Sequence, residues 1–183
     1  DFSDLFEELF GFGFGGGGRR GGGASRKTPR RGRDLQMEVQ LTFEEAVFHA
    51  LSEVIERDAW SLVEACRDTG PCVENIDDET IVNMQKKFSD AQVEVRVRDI
   101  TSDIGVPTIA AVADDVLLKD PMLLTIGIGT HTSARIAVMR ALTEVAQSRL
   151  TQIHGAREDT TLAELRKKMG YDRAKRINAY WFK

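Results

Sequence analysis

Apolar and polar positions repeat with two different periods along residues 35–183, and the two periods predict strands and helices in turn. Leu35, Met37 and Val39 alternate with polar residues, which is typical of a half-buried strand. Spacings of three and four residues predict helices. The predicted strands are 35–43, 93–97, 107–116 and 123–128, and the predicted helices are 44–67, 77–91, 134–153 and 161–177. This order favours an α+β (mixed α/β) domain with long helices packed on a sheet.

Residues 1–34 differ in composition from the rest of the chain. Ten of the 16 glycines lie within 11–32, and seven of the 25 lysines and arginines lie within 19–33. Glycine loses much conformational entropy on folding and like charges repel, so we predict a disordered Gly/Phe/Arg-rich arm at 1–34. Phenylalanine and leucine at helical spacing within 1–10 favour one short amphipathic helix, which is too short to be stable alone.

Charge is divided between these two parts. The arm holds 5 of the 29 acidic and 7 of the 25 basic residues, which leaves 24 acids, 18 bases and a net charge of −6 for residues 35–183. A basic arm suggests contact with nucleic acid. Such an arm would bind weakly and with strong salt dependence, and we expect no nucleic-acid partner.

The composition also predicts the cellular compartment of the protein. No apolar run approaches the roughly 20 residues of a membrane-spanning helix, and the start lacks the features of a secretory signal. Cys66 and Cys72 are too few to form a structural zinc site alone. We therefore expect two free thiols in a cytoplasmic protein without a membrane partner.

Two predicted helices carry charged strips on otherwise apolar surfaces. The first strip is His49, Glu53, Glu56 and Arg57, and the second is Arg140, Glu144 and Gln147. Burying a carboxylate without compensation is costly, so the strips either face solvent or bind a group that compensates their charge. If the two helices pack face to face, carboxylates suited to Mg²⁺ and arginines suited to phosphate oxygens converge. A solvated face or a set of structural ion pairs is the alternative.

The word GIGTH at 127–131, directly before the helix at 134–153, fits two interpretations. As a turn at a helix N-terminus it would present backbone N–H groups to an anion. It lacks the GK[ST] that completes a Walker loop, so a tight strand-to-helix turn without a ligand is the alternative.

Four long words in the larger part of the chain resemble the YcaO family. They are ALSEVIERDAWSL at 50–62, DITSDIGVPTIAAVADD at 99–115, TIGIGTHTSARIAVMRALTEVAQSR at 125–149 and QIHGARED at 152–159. The resemblance implies a partial YcaO domain at 49–183. It also implies that ATP and Mg²⁺ bind through glutamates on helices. ATP would activate a peptide backbone amide as an O-phosphorylated intermediate, and a nucleophile would convert it to a thioamide, an azoline or an amidine.

The resemblance assigns roles by position. It implies that the nucleotide and its metal are bound by Glu53, Glu56, Arg57, Arg140, Glu144 and Gln147, with Glu53, Glu56 and Glu144 as metal ligands. Arg149 lies beside the second strip and is a weaker candidate. His49 stands where many relatives have Ser and is left out of the predicted site. No catalytic residue is assigned.

Residues 1–48 resemble a different family, the DnaJ-type co-chaperones. DLFEELFGFGFGGGGRRGGG matches their Gly/Phe linker, and GRDLQMEVQLTFEEAVF matches their first C-terminal-domain strand. The HPD tripeptide of the J domain and the CxxCxGxG zinc repeats are absent. The two resemblances meet in TFEEAVFHAL, so we place a join within 42–50 and define 35–48 as a DnaJ-like strand and junction. A natural recombination, an engineered fusion and an assembly artefact all remain open.

The expected function follows from the larger resemblance. We expect ATP- and Mg²⁺-dependent thioamidation or cyclodehydration of a peptide or protein substrate. The wording is most similar to the archaeal branch that acts on methyl-coenzyme M reductase, which implies a sulfur-delivery partner. Because the resemblance omits other regions of the family, we expect this chemistry as ancestry rather than as an activity of the chain alone. The alternative is a DnaJ-type fragment that binds unfolded protein.

Overall fold

Helices and strands alternate along the part of the chain that the structure describes, which is residues 42–154 and 166–183 of a computed structural model. The elements are α1 (Phe43–Cys66), α2 (Glu79–Asp90), β1 (Val93–Asp99), β2 (Thr108–Asp115), a 3₁₀ turn (Pro121–Leu123), β3 (Thr125–Thr130), α3 (Ala134–Ile153), α4 (Tyr171–Ile177) and α5 (Ala179–Phe182). This confirms the mixed helix and sheet class. The predicted arm and nearly all of the strand predicted at 35–43 lie outside the described residues.

The three strands form one antiparallel sheet in the order β1-β2-β3. The central strand β2 is buried along its whole length. Odd-numbered residues of β2 face a core formed with α2 and α3, whereas Ala110 and Val112 face a second core formed with α1 and Trp181. The sheet is therefore the middle of three layers, and α1 and α3 lie on its opposite faces.

Local signals position α1 as predicted. The Thr42 hydroxyl accepts from the Glu45 N–H at 3.2 Å, and the Glu45 carboxylate accepts from the Thr42 N–H at 2.9 Å, which completes a capping box. The helix ends at Arg67, which adopts a left-handed conformation with φ of 57°. Only one narrow stripe of α1 is buried, namely Ser52, Ile55, Ala59 and Val63.

The third strand lies two residues later than predicted. The sequence predicted a strand at 123–128 and a turn at 127–131, but β3 is Thr125–Thr130 and Gly127 and Gly129 lie inside it. The glycines serve helix packing, because a Cβ on Gly127 would lie 2.2 Å from Val145 N and one on Gly129 would lie 2.3 Å from Ala137 O. Small residues here allow the α3 backbone to approach the strand closely.

The helix predicted at 161–177 is interrupted. Residues 166–169 are helical, Gly170 adopts a φ of 79° and α4 starts at Tyr171. A left-handed conformation of this kind suits glycine and ends a helix.

Two adjacent aspartates at the end of β2 hold the helices in place. Asp114 accepts from the Tyr171 hydroxyl at 2.7 Å and from Lys175 Nζ at 2.5 Å. Asp115 forms an ion pair of 2.9 Å with Arg149, and the side chains of that pair are only 6% and 12% exposed. These contacts fix α4 and α3 to the same strand end.

Two further expectations concern the surface. Cys66 and Cys72 are both free and exposed, as predicted. Within residues 42–154 and 166–183, no helix combines the length and the apolar character needed to cross a membrane.

Candidate active site

The two charged strips converge at the edge of β3 that pairs with no other strand among residues 42–154 and 166–183. The condition considered for this, face-to-face packing of the two helices, is not met, because α1 and α3 are separated by the sheet. Both helices instead reach around the strand edge. The Ile128 N–H donates to Glu144 Oε2 at 3.1 Å. The Thr130 backbone N–H lies near the Glu56 carboxylate and lowers its pKa. Outward N–H groups of one strand thus face a carboxylate from each of the two helices.

The electrostatics of this carboxylate pair are unfavourable in the free protein. Burial, together with the negative charge of Glu144, raises the pKa of Glu56 from an ordinary value of 4.5 to about 7. The positive charges of Arg140 and Arg57 offset only part of this effect. Two carboxylates that repel each other in a partly desolvated position are a site for a cation.

Arg140 and His49 complete the inner part of the site. Arg140 Nη1 lies 3.4 Å from His49 Nδ1, so the contact links α3 to α1. The sequence analysis left His49 out of the predicted site. Its spacing of four and seven residues before Glu53 and Glu56, which places it on the same strip, was the signal that could have included it.

Glu53 and Arg57 lie farther out on α1. They form an ion pair of 3.8 Å with each other, and their side chains are 64% and 63% exposed. Among the described residues no three His, Cys, Asp or Glu side chains are grouped closely enough to hold a metal ion. Glu53, Glu56 and Glu144 therefore do not form a preassembled triad, and the structure brings together only the last two.

The second strip borders an open cavity, the edge cleft, of about 610 Å³. Its lining from α3 and β3 consists of Ile128, Arg140, Thr143, Glu144, Gln147, Ser148, Thr151 and Gln152. Gln147 thus lies in the cleft together with Arg140 and Glu144, the other two residues of the second strip. Arg149 points elsewhere, because it is engaged by Asp115.

The GIGTH segment forms the end of a strand and not the turn at a helix N-terminus that would bind an anion. Residues 127–130 belong to β3, and the Ser133 N–H at the start of α3 donates to His131 Nδ1 at 2.9 Å. The His131 N–H donates to Pro107 O. The word is therefore not the turn that both interpretations expected.

The arrangement fits a nucleotide with a divalent metal. Mg²⁺ commonly binds to one or two protein carboxylates together with substrate phosphates, and Glu56 and Glu144 are a pair whose repulsion a cation would relieve. Arg140, placed at the same edge, offers a planar guanidinium to phosphate oxygens. The donor set of the site is thus that of a metal-bound phosphate.

Comparison with known proteins supports this description. The model of the YcaO family, described as an ATP- and Mg²⁺-binding cyclodehydratase family, matches residues 41–183. An uncharacterized protein of Methanothermobacter thermautotrophicus is 59% identical over 143 residues, which is 76% of this chain and 37% of that protein. The chain therefore spans little more than a third of this relative.

Solved structures show the same fold. A YcaO protein of Methanopyrus kandleri, solved with AMPPCP and Mg²⁺, superposes with a TM-score of 0.64 at 30% identity and covers 76% of this chain and 36% of that one. The heterocyclase TruD superposes with a TM-score of 0.55 at 28% identity, over 65% of this chain and 17% of that one.

A second kind of relative matches a shorter stretch of the chain. The chaperone protein DnaJ of Syntrophobacter fumaroxidans is 44% identical over 69 residues, which is 38% of this chain and 16% of that protein.

Proposed function

The chain belongs to the YcaO family, and we propose that it provides the metal and phosphate contacts for ATP-dependent activation of a peptide backbone amide. The observation that carries this proposal is the pairing of Glu56 and Glu144 across the free edge of β3. The repulsion between the two carboxylates, which Arg140 and Arg57 offset only in part, would be relieved by a bound cation.

Each residue of the site would have a role that follows from the chemistry of its side chain. Glu56 and Glu144 would hold Mg²⁺, Arg140 would bind phosphate oxygens, and Gln147 would offer an amide in the edge cleft. When bound, ATP supplies the phosphoryl group that activates the amide oxygen and Mg²⁺ neutralises its charge. Glu53 and Arg57, exposed on the next turns of α1, are placed to join the site only after rearrangement of their own ion pair.

The finer function that we favour is thioamidation of a peptide or protein substrate. The similarity of the sequence to the archaeal branch supports it, as does a 59% identical relative in a methanogen. On this proposal the substrate is a glycine of methyl-coenzyme M reductase, and a sulfur-delivery protein is the second partner. Cyclodehydration by a side chain of the substrate is the alternative within the same chemistry.

Calorimetric titration of the chain with Mg-ATP tests the site. The decisive variant is Glu144→Gln, because the glutamine still offers an oxygen to the Ile128 N–H but removes the charge that would bind the metal. We expect binding heat for the unmodified chain and at least about tenfold weaker binding for this variant.

The matched control is Glu94→Gln, an exposed glutamate on β1 outside the site, which should bind like the unmodified chain. Equal affinities for all three proteins, or no binding heat in any of them, would remove the assigned role of Glu144.

A second candidate function rests on the similarity of the N-terminal part to DnaJ. On that proposal residues 1–48 bind unfolded protein. Suppression of thermal aggregation of a model client, compared between the full chain and a chain without residues 1–41, tests it. Equal aggregation in both cases excludes this second function.

A further inference from the structure

A second cavity, the aromatic cavity, adjoins the edge cleft and has no role in the function described so far. It has a volume of about 490 Å³ and shares Ser148 and Gln152 with the cleft. Its walls combine apolar and aromatic side chains with polar ones: Trp60, Leu124, Ile126, Met169, Trp181 and Phe182 together with Glu64, Arg166 and Asn178. It therefore continues the candidate site along the edge of β3 into a chamber with aromatic and polar walls.

Two polar atoms in the wall of this cavity have no partner. Thr125 is only 7% exposed, and its hydroxyl makes no hydrogen bond with any described residue. The same holds for the indole N–H of Trp60. Buried polar groups are nearly always paired in folded proteins, so an unpaired donor and an unpaired hydroxyl beside one cavity point to a ligand with polar atoms of its own.

The strand edge beside the cavity is also incompletely bonded. β3 pairs only with β2 among the described strands, and Ile128 and Thr130 direct their N–H groups outward to Glu144 and Glu56. Because backbone direction repeats every two residues, Ile126 directs its N–H and C=O to the same side. The only described contact there is a weak one of 3.5 Å from the Ser148 hydroxyl to Ile126 O.

We propose that the aromatic cavity binds an apolar or aromatic side chain of an extended peptide substrate whose backbone pairs with Ile126 on the free edge of β3. Strand addition to an open edge supplies backbone hydrogen bonds, and a pocket beside the edge supplies side-chain selectivity. A peptide held in this way runs along β3 toward Glu56 and Glu144, which brings the following backbone amide to the edge cleft. The inference rests on the proposed function and specifies its substrate.

A peptide suits the site better than the other candidate, a nucleobase. A base could stack on the tryptophans, but it presents no extended backbone to the N–H and C=O of Ile126. The aromatic residues of the mixed walls match a phenylalanine or similar side chain, and the unpaired Thr125 hydroxyl matches a backbone group next to it.

The two tryptophans of the chain both line this cavity, so their intrinsic fluorescence reports its occupancy without a label. The full chain is titrated with N-acetyl-Phe-Gly-Gly-amide, with the all-glycine analogue, and with the phenylalanine peptide carrying N-methyl groups on its backbone. We expect a saturable change in emission with the first peptide alone. An equal response to all three peptides, or no response to any of them, overturns the proposal.

Variants separate this inference from the function on which it rests. Thr125→Val keeps the shape of the side chain and should weaken peptide binding by about fivefold, the effect of losing one hydrogen bond. Thr80→Val, an exposed threonine on α2, is the matched control and should change nothing. Unchanged binding by Thr125→Val removes the assigned contact.

Glu144→Gln should weaken Mg-ATP binding in calorimetry by at least about tenfold while leaving the fluorescence response to the peptide. If the peptide response persists while no nucleotide binds to any form of the chain, the proposed function fails and the cavity assignment stands. If Mg-AMPPCP without peptide produces the same emission change and competes with the peptide, the cavity holds the nucleobase and the assignment is overturned.

Discussion

Two pairs of carboxylates in this domain have opposite surroundings. Asp114 and Asp115 are buried at the end of β2, and each is matched by a cation and by a further hydrogen-bond donor. Glu56 and Glu144 lie at the edge of β3, where burial and the charge of Glu144 together raise the pKa of Glu56 to about 7. Carboxylates that are paired with cations and hydrogen-bond donors stabilise the fold, whereas carboxylates that repel each other indicate the candidate site.

The aspartate pair should give the largest effect on stability. Asp115→Ala leaves the Arg149 guanidinium buried without its carboxylate, so we expect the free energy of unfolding to fall by about 3–5 kcal/mol. Chemical denaturation followed by circular dichroism measures it. Asp103→Ala, at an exposed aspartate, is the control and should shift stability by less than about 0.5 kcal/mol. A small effect of Asp115→Ala would contradict the conclusion that the aspartate pair stabilises the fold.

The same pair has a defined pH dependence. Burial alone would raise the pKa of Asp115, but hydrogen bonds from the Leu118 N–H and Arg149 outweigh it and hold the pKa below 3.8. The unfolded state therefore binds the proton more readily, and the stabilisation is present above pH 4 and lost as the pH falls.

Close packing of α3 on β3 should give the next largest effect. Gly129→Ala places a methyl group 2.3 Å from the Ala137 carbonyl oxygen, so the helix must move away from the strand. We expect a loss of about 1–3 kcal/mol in the free energy of unfolding together with weaker Mg-ATP binding, because Glu144 moves with the helix. Destabilisation without any change in Mg-ATP affinity would show that the site tolerates a displaced α3.

Glu56→Gln should have the opposite sign from Asp115→Ala. Because the pKa of Glu56 is raised to about 7, its contribution to stability is fully present below pH 4.5 and is lost as the pH rises through 7. The variant should therefore be more stable than the unmodified chain at pH 8, by about 0.5–2 kcal/mol after solvent screening, and equally stable at pH 4. Thermal unfolding at both pH values measures this.

Added Mg²⁺ sharpens the same test. It should raise the melting temperature of the unmodified chain more at pH 8 than at pH 5, since only the ionised carboxylates bind the cation. The Glu56→Gln variant should lose most of this difference, whereas equal shifts for both proteins would place the cation elsewhere.

Glu53→Gln should have the smallest effect. Its ion pair with Arg57 is mostly exposed, and such pairs contribute little, so the free energy of unfolding should change by less than about 0.5 kcal/mol. Chemical denaturation at low and high salt checks it. A larger loss would place Glu53 with the structural aspartates rather than on a solvated strip.

The helices were predictable from the sequence because their signals are local. The capping box at Thr42 and the apolar periodicity place α1 and α3 within about one residue of their observed bounds. The glycines of β3 misled the prediction, since their reason is a tertiary contact with α3. Glycine marks a turn or a close approach, and sequence alone does not separate the two.

The sequence placed charged residues on two helical strips but did not predict how the fold brings some of them together. Helical spacing identified Glu56, Arg140 and Glu144, yet the sheet edge that brings them together is a property of the whole fold. The aspartate pair was not predicted at all, because Lys175 and Arg149 come from positions 61 and 34 residues away along the chain. Pairing over such distances leaves no periodic signal.

The exposure of the first turns of α1 indicates how the site moves. Residues 42–51 are all exposed, whereas the buried residues of the helix begin at Ser52, so His49 stands on a segment held mainly by its own capping box. Amide protons of this segment should exchange with solvent far faster than those near Ala59, because opening it breaks few tertiary contacts. A ligand that contacts His49, Arg140 and Glu144 would therefore order the start of the helix as it binds. The conformational entropy lost in this ordering would lower the affinity of the ligand.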